Sequence, residues 1–130
     1  MQPFDTQPLP LTPDVIAPDG SNVRILLGLQ GGGMAHFELP PGAVSRAVTH
    51  CTVEEIWFIL SGQGEMWRQC AGQEEIVTVA ASICLTIPLG TQFQFRCLGE
   101  EPLQAVAVTM PPWPGENEAM AVEGIWQPTV

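Results

Sequence analysis

Lysine is missing from this chain of 130 residues, and the basic side chains are four arginines: Arg24, Arg46, Arg68 and Arg96. Against 14 Asp and Glu, they leave a net charge of −10. A nucleic-acid binder needs a basic footprint to neutralise phosphates, so no nucleic-acid partner is expected. Anionic lipid surfaces would repel the same charge, so no membrane partner is expected either. Cys51, Cys70, Cys84 and Cys97 include no close CxxC pair, which is neither a zinc-ribbon nor a thioredoxin spacing. The N-terminal stretch has no secretory apolar region, which points to free thiols in a reducing cytoplasm. The longest purely apolar run, Ile56 to Leu60, is too short to span a bilayer. No Ser-His-Asp arrangement and no phosphate loop can be found. Gly31, Gly32 and Gly33 precede the strand-like MAHFEL, not a helix start, so they predict a hairpin turn.

What is present suits one packed domain. Hydrophobic residues reach 45% and charged ones 14%, which excludes general disorder. Thirteen prolines and 13 glycines punctuate short runs of β character: NVRILLGL, MAHFEL, AVSRAVTH, EIWFILS, EMWRQ, EEIVTV, ICLTI, FQFRC and LQAVAVTM. Regular short strands with Gly and Pro turns predict an antiparallel sandwich or barrel with little helix. Residues 1–20 carry five prolines and predict an extended arm, lying along the barrel or onto a partner subunit. Residues 21–110 form the barrel. Residues 111–130 predict an irregular C-terminal arm that buries Trp113 and Trp126 against the barrel or a partner.

The segment VTHCTVEEIWFILSG sets His50, Glu54 and Glu55 at the start of an apolar strand. Five residues separate Gly42 from Val48, four separate His50 from Glu55, and six separate Glu55 from Gly62. This resembles the first motif of the cupin family, with valine in place of its first histidine. SICLTIPLGTQFQFRC resembles the second motif. It keeps Pro88 and Gly90, with Ser82, Phe93 and Cys97 where the family has glycine, histidine and asparagine. The resemblance covers roughly residues 34–110. It implies an all-β fold, the double-stranded β-helix or jelly-roll barrel, and commonly a homodimer. EIWFIL is apolar on both faces, so the face turned from the core needs a second cover.

In the family, two histidines and the glutamate of the first motif, with the histidine of the second, hold one divalent transition metal. Carried over by position, only His50 and Glu55 are ligands; Val48 and Phe93 cannot coordinate. Two protein ligands rarely hold such a metal firmly. Strand parity leaves His36 or Cys97 as a third ligand, with the cofactor question open. The same parity predicts a ligand pocket of Arg46, Val48, His50, Glu55, Trp57 and Phe93, with Glu54 facing solvent and Cys51 turned away. Apolar walls around a few polar groups suit a small organic molecule. Three readings follow: a binder of a small organic molecule with an incomplete ligand set, a metal-dependent isomerase- or dioxygenase-type enzyme, and a dimeric interaction module. An interior filled by Trp57 and Phe93 would favour the last.

Overall fold

Alternating apolar residues set the strands, and Gly or Pro ends them. The computed structural model describes residues 3–115 and 117–130. Among the described residues there are eleven strands and no helix. In chain order they are β1 (Val15–Ile16), β2 (Asn22–Leu29), β3 (Gly32–Leu39), β4 (Val48–His50), β5 (Glu54–Ser61), β6 (Gln63–Cys70), β7 (Gln73–Ala80), β8 (Cys84–Ile87), β9 (Gln92–Leu98), β10 (Leu103–Met110) and β11 (Ala119–Ala121). One sheet runs β1-β2-β3-β10-β5-β8, and the other runs β11-β4-β9-β6-β7. The pairings are antiparallel. The glycine cluster turns the β2–β3 hairpin, as its strand-like sequel predicts.

Strand β5 shows the period of two that builds the core. Glu55, Trp57 and Ile59 are buried, while Glu54, Ile56, Phe58 and Leu60 are exposed. Opposite them, Phe93, Phe95 and Cys97 of β9 point inward. Trp57 stacks on Phe37 at 5.1 Å between ring centroids and meets Phe93 and Phe95 edge-on at 6.2 and 5.2 Å. Offset and edge-on aromatic pairs add about 1 kcal/mol each beyond the area they bury. These rings fill the space between the sheets. At Gly62, where the chain crosses from β5 to β6, φ is 85° and a side chain would run into the Pro102 backbone, so only glycine serves.

Both arms lie on their own barrel. Asp14 N donates to Val23 O and Ile25 N to the Asp14 carboxylate, each at 2.8 Å, adding the short strand β1 to the sheet edge. Arg24 of β2 reaches over and donates to the carbonyls of Pro10 (2.8 Å) and Leu11 (3.2 Å). The C-terminal arm is held by Gln94, a fully buried side chain. Its carbonyl accepts from Ile125 N and Trp126 N at 3.0 Å, and its amide donates to Ser45 O and Trp126 O. Trp126 covers the Arg96 guanidinium at 4.4 Å. The sequence placed both arm tryptophans in buried positions. Here Trp126 is half-buried and Trp113 is 38% exposed, because the irregular arm that carries them runs outside the two sheets.

Candidate functional site

The strand registers bring His50 and Glu55 to one end of the barrel. Glu55 is paired between Thr109 of β10 and Ile87 of β8, and its inward parity puts the carboxyl in the interior. His50 ends β4, beyond the Val48–Phe93 pair. The two side chains meet with His50 Nδ1 3.4 Å from Glu55 Oε1. Both are nearly closed off from solvent. The short β4–β5 connection that sets this approach is pinned by Glu118 of the C-terminal arm. Its carboxylate accepts from Thr52 N (2.7 Å), Val53 N (3.1 Å) and the Thr52 hydroxyl.

Aromatic rings wall the pair. Phe93 lies edge-on to His50 at 5.3 Å from below, and Trp113 lies edge-on at 5.1 Å from the C-terminal arm. His50 Nδ1, Glu55 Oε2 and the Trp57 indole N–H are all buried and have no hydrogen-bond partner. Unpaired buried polar atoms are rare, and each costs about 1–3 kcal/mol, so three converging on one place mark a site.

The electrostatics keep both groups neutral near pH 7. Burial pushes the Glu55 carboxyl up to about 8, and the negative Asp19 adds to the rise. The Trp57 indole, close by but outside hydrogen-bond geometry, opposes it weakly. Burial pushes the His50 imidazole below its usual value, and the Glu118 charge partly offsets that. Glu118 is itself held below the usual carboxylate range. Burial would raise it, but the Thr52 and Val53 hydrogen bonds prevail. The pair is therefore a carboxylic acid beside a neutral imidazole, not an ion pair.

Of the other expected site residues, three line the interior at the site and three do not reach it. Val48, Trp57 and Phe93 do line the interior, each at most 3% exposed. Arg46 does not join them: the chain is irregular before β4, and the guanidinium is exposed, donating to Val130 O at 2.9 Å. His36 also misses the site. The inward face of β3 is that of Phe37 and Leu39, so His36 points to the outer face. There its Nε2 sits 2.9 Å from the Gln104 amide oxygen, and Nδ1 lies 3.5 Å from Arg24. Cys97 has inward parity but lies four residues beyond Phe93, about 13 Å along the strand. Its thiol contacts Glu101 O at 3.1 Å. Glu54 is exposed and Cys51 turns outward, as alternation predicts.

Among the described residues no group of three His, Cys, Asp or Glu side chains converges as a metal-ion site. One imidazole and one carboxyl, with apolar Val48 and Phe93 at the remaining positions, do not fit a firmly bound transition metal. One contributor to the site escaped the sequence: Trp113 sits in an arm with no period to place it.

In comparisons with known proteins, the family described as the cupin domain matches residues 35–109. No curated protein matches in sequence. Solved structures are similar in fold. A conserved protein with a double-stranded β-helix domain from Klebsiella pneumoniae superposes with a TM-score of 0.66 at 17% identity, over 80% of this chain and 85% of that one. Oxalate decarboxylase from Bacillus subtilis gives 0.71 at 18% identity, over 78% of this chain but only 28% of the decarboxylase. The capsular polysaccharide assembling protein CapF of Staphylococcus aureus gives 0.69 at 17% identity, over 92% and 35%. Identities this low show the fold alone. The family match covers more than half of the sequence, and its residues build the two-sheet barrel; the chain belongs to the cupin family.

Proposed function

We propose that the chain is a small-molecule-binding cupin whose site is a neutral polar notch at the barrel end, roofed by Trp113. The observation that carries this reading is the convergence of His50 Nδ1, Glu55 Oε2 and Trp57 Nε1, buried and unpaired. The notch offers an indole N–H donor, an imidazole, and a carboxylic acid that both donates and accepts. An uncharged organic molecule bearing a carbonyl or hydroxyl matches it. A carboxylate ligand would have to compete with the field of Asp19 and Glu118. Trp57 and Phe93 fill the barrel interior, which counts against a deep pocket and for the interaction module. The binding reading is therefore confined to the mouth, where the ligand displaces Trp113 on entry. The test combines two measurements on protein purified without a histidine tag. Elemental analysis should find no stoichiometric transition metal, and neutral carbonyl and hydroxyl fragments should shift the Trp57 and Trp113 indole resonances. Stoichiometric metal lost in His50→Ala overturns the metal-free site, and a fragment set that leaves both indoles unmoved overturns the binding reading.

A second reading, the homodimer, rests on a different face. Ile56, Phe58 and Leu60 of the central strand β5 are each 43% exposed, and Met34 of β3 lies across β10 from Ile56. In a chain of net charge −10, this patch carries no charge at its centre, so it is the part of the surface that a second copy can cover without burying a charge. Light scattering should show a dimer that Phe58→Glu turns into a monomer. A monomeric wild type removes this reading.

A further inference from the structure

The N-terminal arm is tied to the barrel through polar groups, yet it turns its apolar side chains away. Besides the Arg24 bonds to Pro10 O and Leu11 O, the Gln7 amide donates to Ile25 O at 3.3 Å, and Asp14 bonds the Val23 carbonyl and the Ile25 N–H. Phe4 is nevertheless 98% and Leu11 95% exposed, and Leu9 is about half exposed. An arm serving only its own barrel would bury them, since each such side chain left in water forgoes roughly 1.5–3 kcal/mol. The arm also borders one particular face. Arg24 pairs with His36 across β2 and β3, so it shares the outer face of the first sheet with His36 and Glu38. Along that face β10 lies two strands from β2, about 10 Å away, and β5 with Ile56, Phe58 and Leu60 comes next.

We propose that the arm completes the homodimer interface: Phe4, Leu9 and Leu11 of each copy pack on the second copy of this chain. The inference rests on the homodimer reading of the β5 face. Area supports it. At about 200 Å² for a fully exposed large apolar side chain, Ile56, Phe58, Leu60 and Met34 present roughly 350 Å², under half of the ~800 Å² per partner that a standard interface buries. Phe4, Leu9 and Leu11 more than double that area and bring it to the standard size. Charge points the same way. At a net charge of −10 two copies repel over most of their surface, whereas residues 6–13 carry no charge at all. Where the arm is anchored, Arg24 and Glu38 neutralise each other at 2.9 Å. Stiffness is the third support. Pro8, Pro10 and Pro13 restrict the backbone that these hydrogen bonds already hold, so covering the side chains costs little further ordering.

The test measures dimer dissociation of the full chain by analytical ultracentrifugation for wild type, for Phe4→Ala combined with Leu11→Ala, and for Phe58→Glu. Both arm positions are exposed, so the double substitution carries little folding risk. Wild type should dimerise, the arm variant should raise the dissociation constant about tenfold or more, and Phe58→Glu should be monomeric. In dimers mixed from carbon-13-labelled and unlabelled chains, the Leu9 and Leu11 methyls should give NOEs between the two copies. A monomeric wild type removes the homodimer reading and this inference with it. A wild-type dimer whose affinity the arm variant leaves unchanged, or whose arm methyls show no contact between copies, overturns the arm's part alone and leaves the β5 face standing.

Discussion

Replacing Glu55 with glutamine should raise stability, and more so the higher the pH. The folded chain holds the Glu55 proton up to about pH 8, whereas an unfolded glutamate releases it near 4.5. Ionising the buried carboxyl without a partner is what the fold resists. The free-energy cost is absent below pH 4.5, grows as pH rises, and is complete above pH 8. That separation of pKa values converts to about 5 kcal/mol in full, of which about 3 has accrued by pH 7 and about 1 more accrues between pH 7 and 9. Glutamine is nearly isosteric and never ionises, so Glu55→Gln escapes the cost. His50 works in the opposite sense: its depressed pKa costs stability as pH falls below 6.5, which makes the window above pH 7 the clean one. Asp19, also raised by burial, stays in both proteins, and because its charge couples to Glu55 the variant relieves that repulsion too, which widens the gap in the same direction. Urea unfolding of wild type and Glu55→Gln at pH 5, 7 and 9 measures it, with the stability gap widening from pH 5 to 9. A gap that stays constant or narrows refutes the neutral, buried carboxyl.

Three further outcomes follow from other parts of the fold. Gly64→Ala, whose Cβ would strike the Arg96 carbonyl across the β6–β9 pair, should cost about 3 kcal/mol or more, seen as a large drop in melting temperature. Arg24→Ala removes the hydrogen bonds to Pro10 O and Leu11 O, so hydrogen exchange should accelerate at Asp14 and Ile25 while the β5 and β10 amides stay protected. Val48→His combined with Phe93→His supplies imidazoles at the two apolar positions beside His50. Elemental analysis should then show more bound transition metal than in wild type, and an unchanged metal content refutes the positional match.

The fold was legible because its signals are local. Alternation in EIWFILS assigns Trp57 inward and Glu54 outward, and it needs only β5 itself. The spacing from Gly42 to Gly62 located His50 and Glu55 for the same reason: both lie on β4 and β5, adjacent in sequence. His36 shows where this stops. Parity says that Met34, His36 and Glu38 share a face, but not that the face of Phe37 is the one turned inward. Arg46 failed because the period of two does not hold through the irregular turn before Val48. Cys97 failed on distance along a strand, not on direction. Trp113 and Glu118 come from an aperiodic arm whose path is set by Gln94, a tertiary contact that no window of sequence contains.

The substitutions at Val48 and Phe93 and the neutrality of Glu55 are one fact. A metal ion in the notch would hold a buried glutamate ionised, because a divalent charge outweighs the burial penalty. With apolar Val48 and Phe93 in place of two imidazoles, the donors for that charge are missing, and the same side chains lower the local dielectric. The glutamate then takes its proton at neutral pH. This converts a would-be ligand into a hydrogen-bond donor, while burial keeps His50 uncharged beside it. Had Glu55 been only residual, the least costly repair would be an apolar residue matching its neighbours, since three unpaired buried polar atoms cost more than a repacked core. Their position beneath the part-exposed Trp113 suits a partner that arrives from outside, and one that needs hydrogen bonds more than charge.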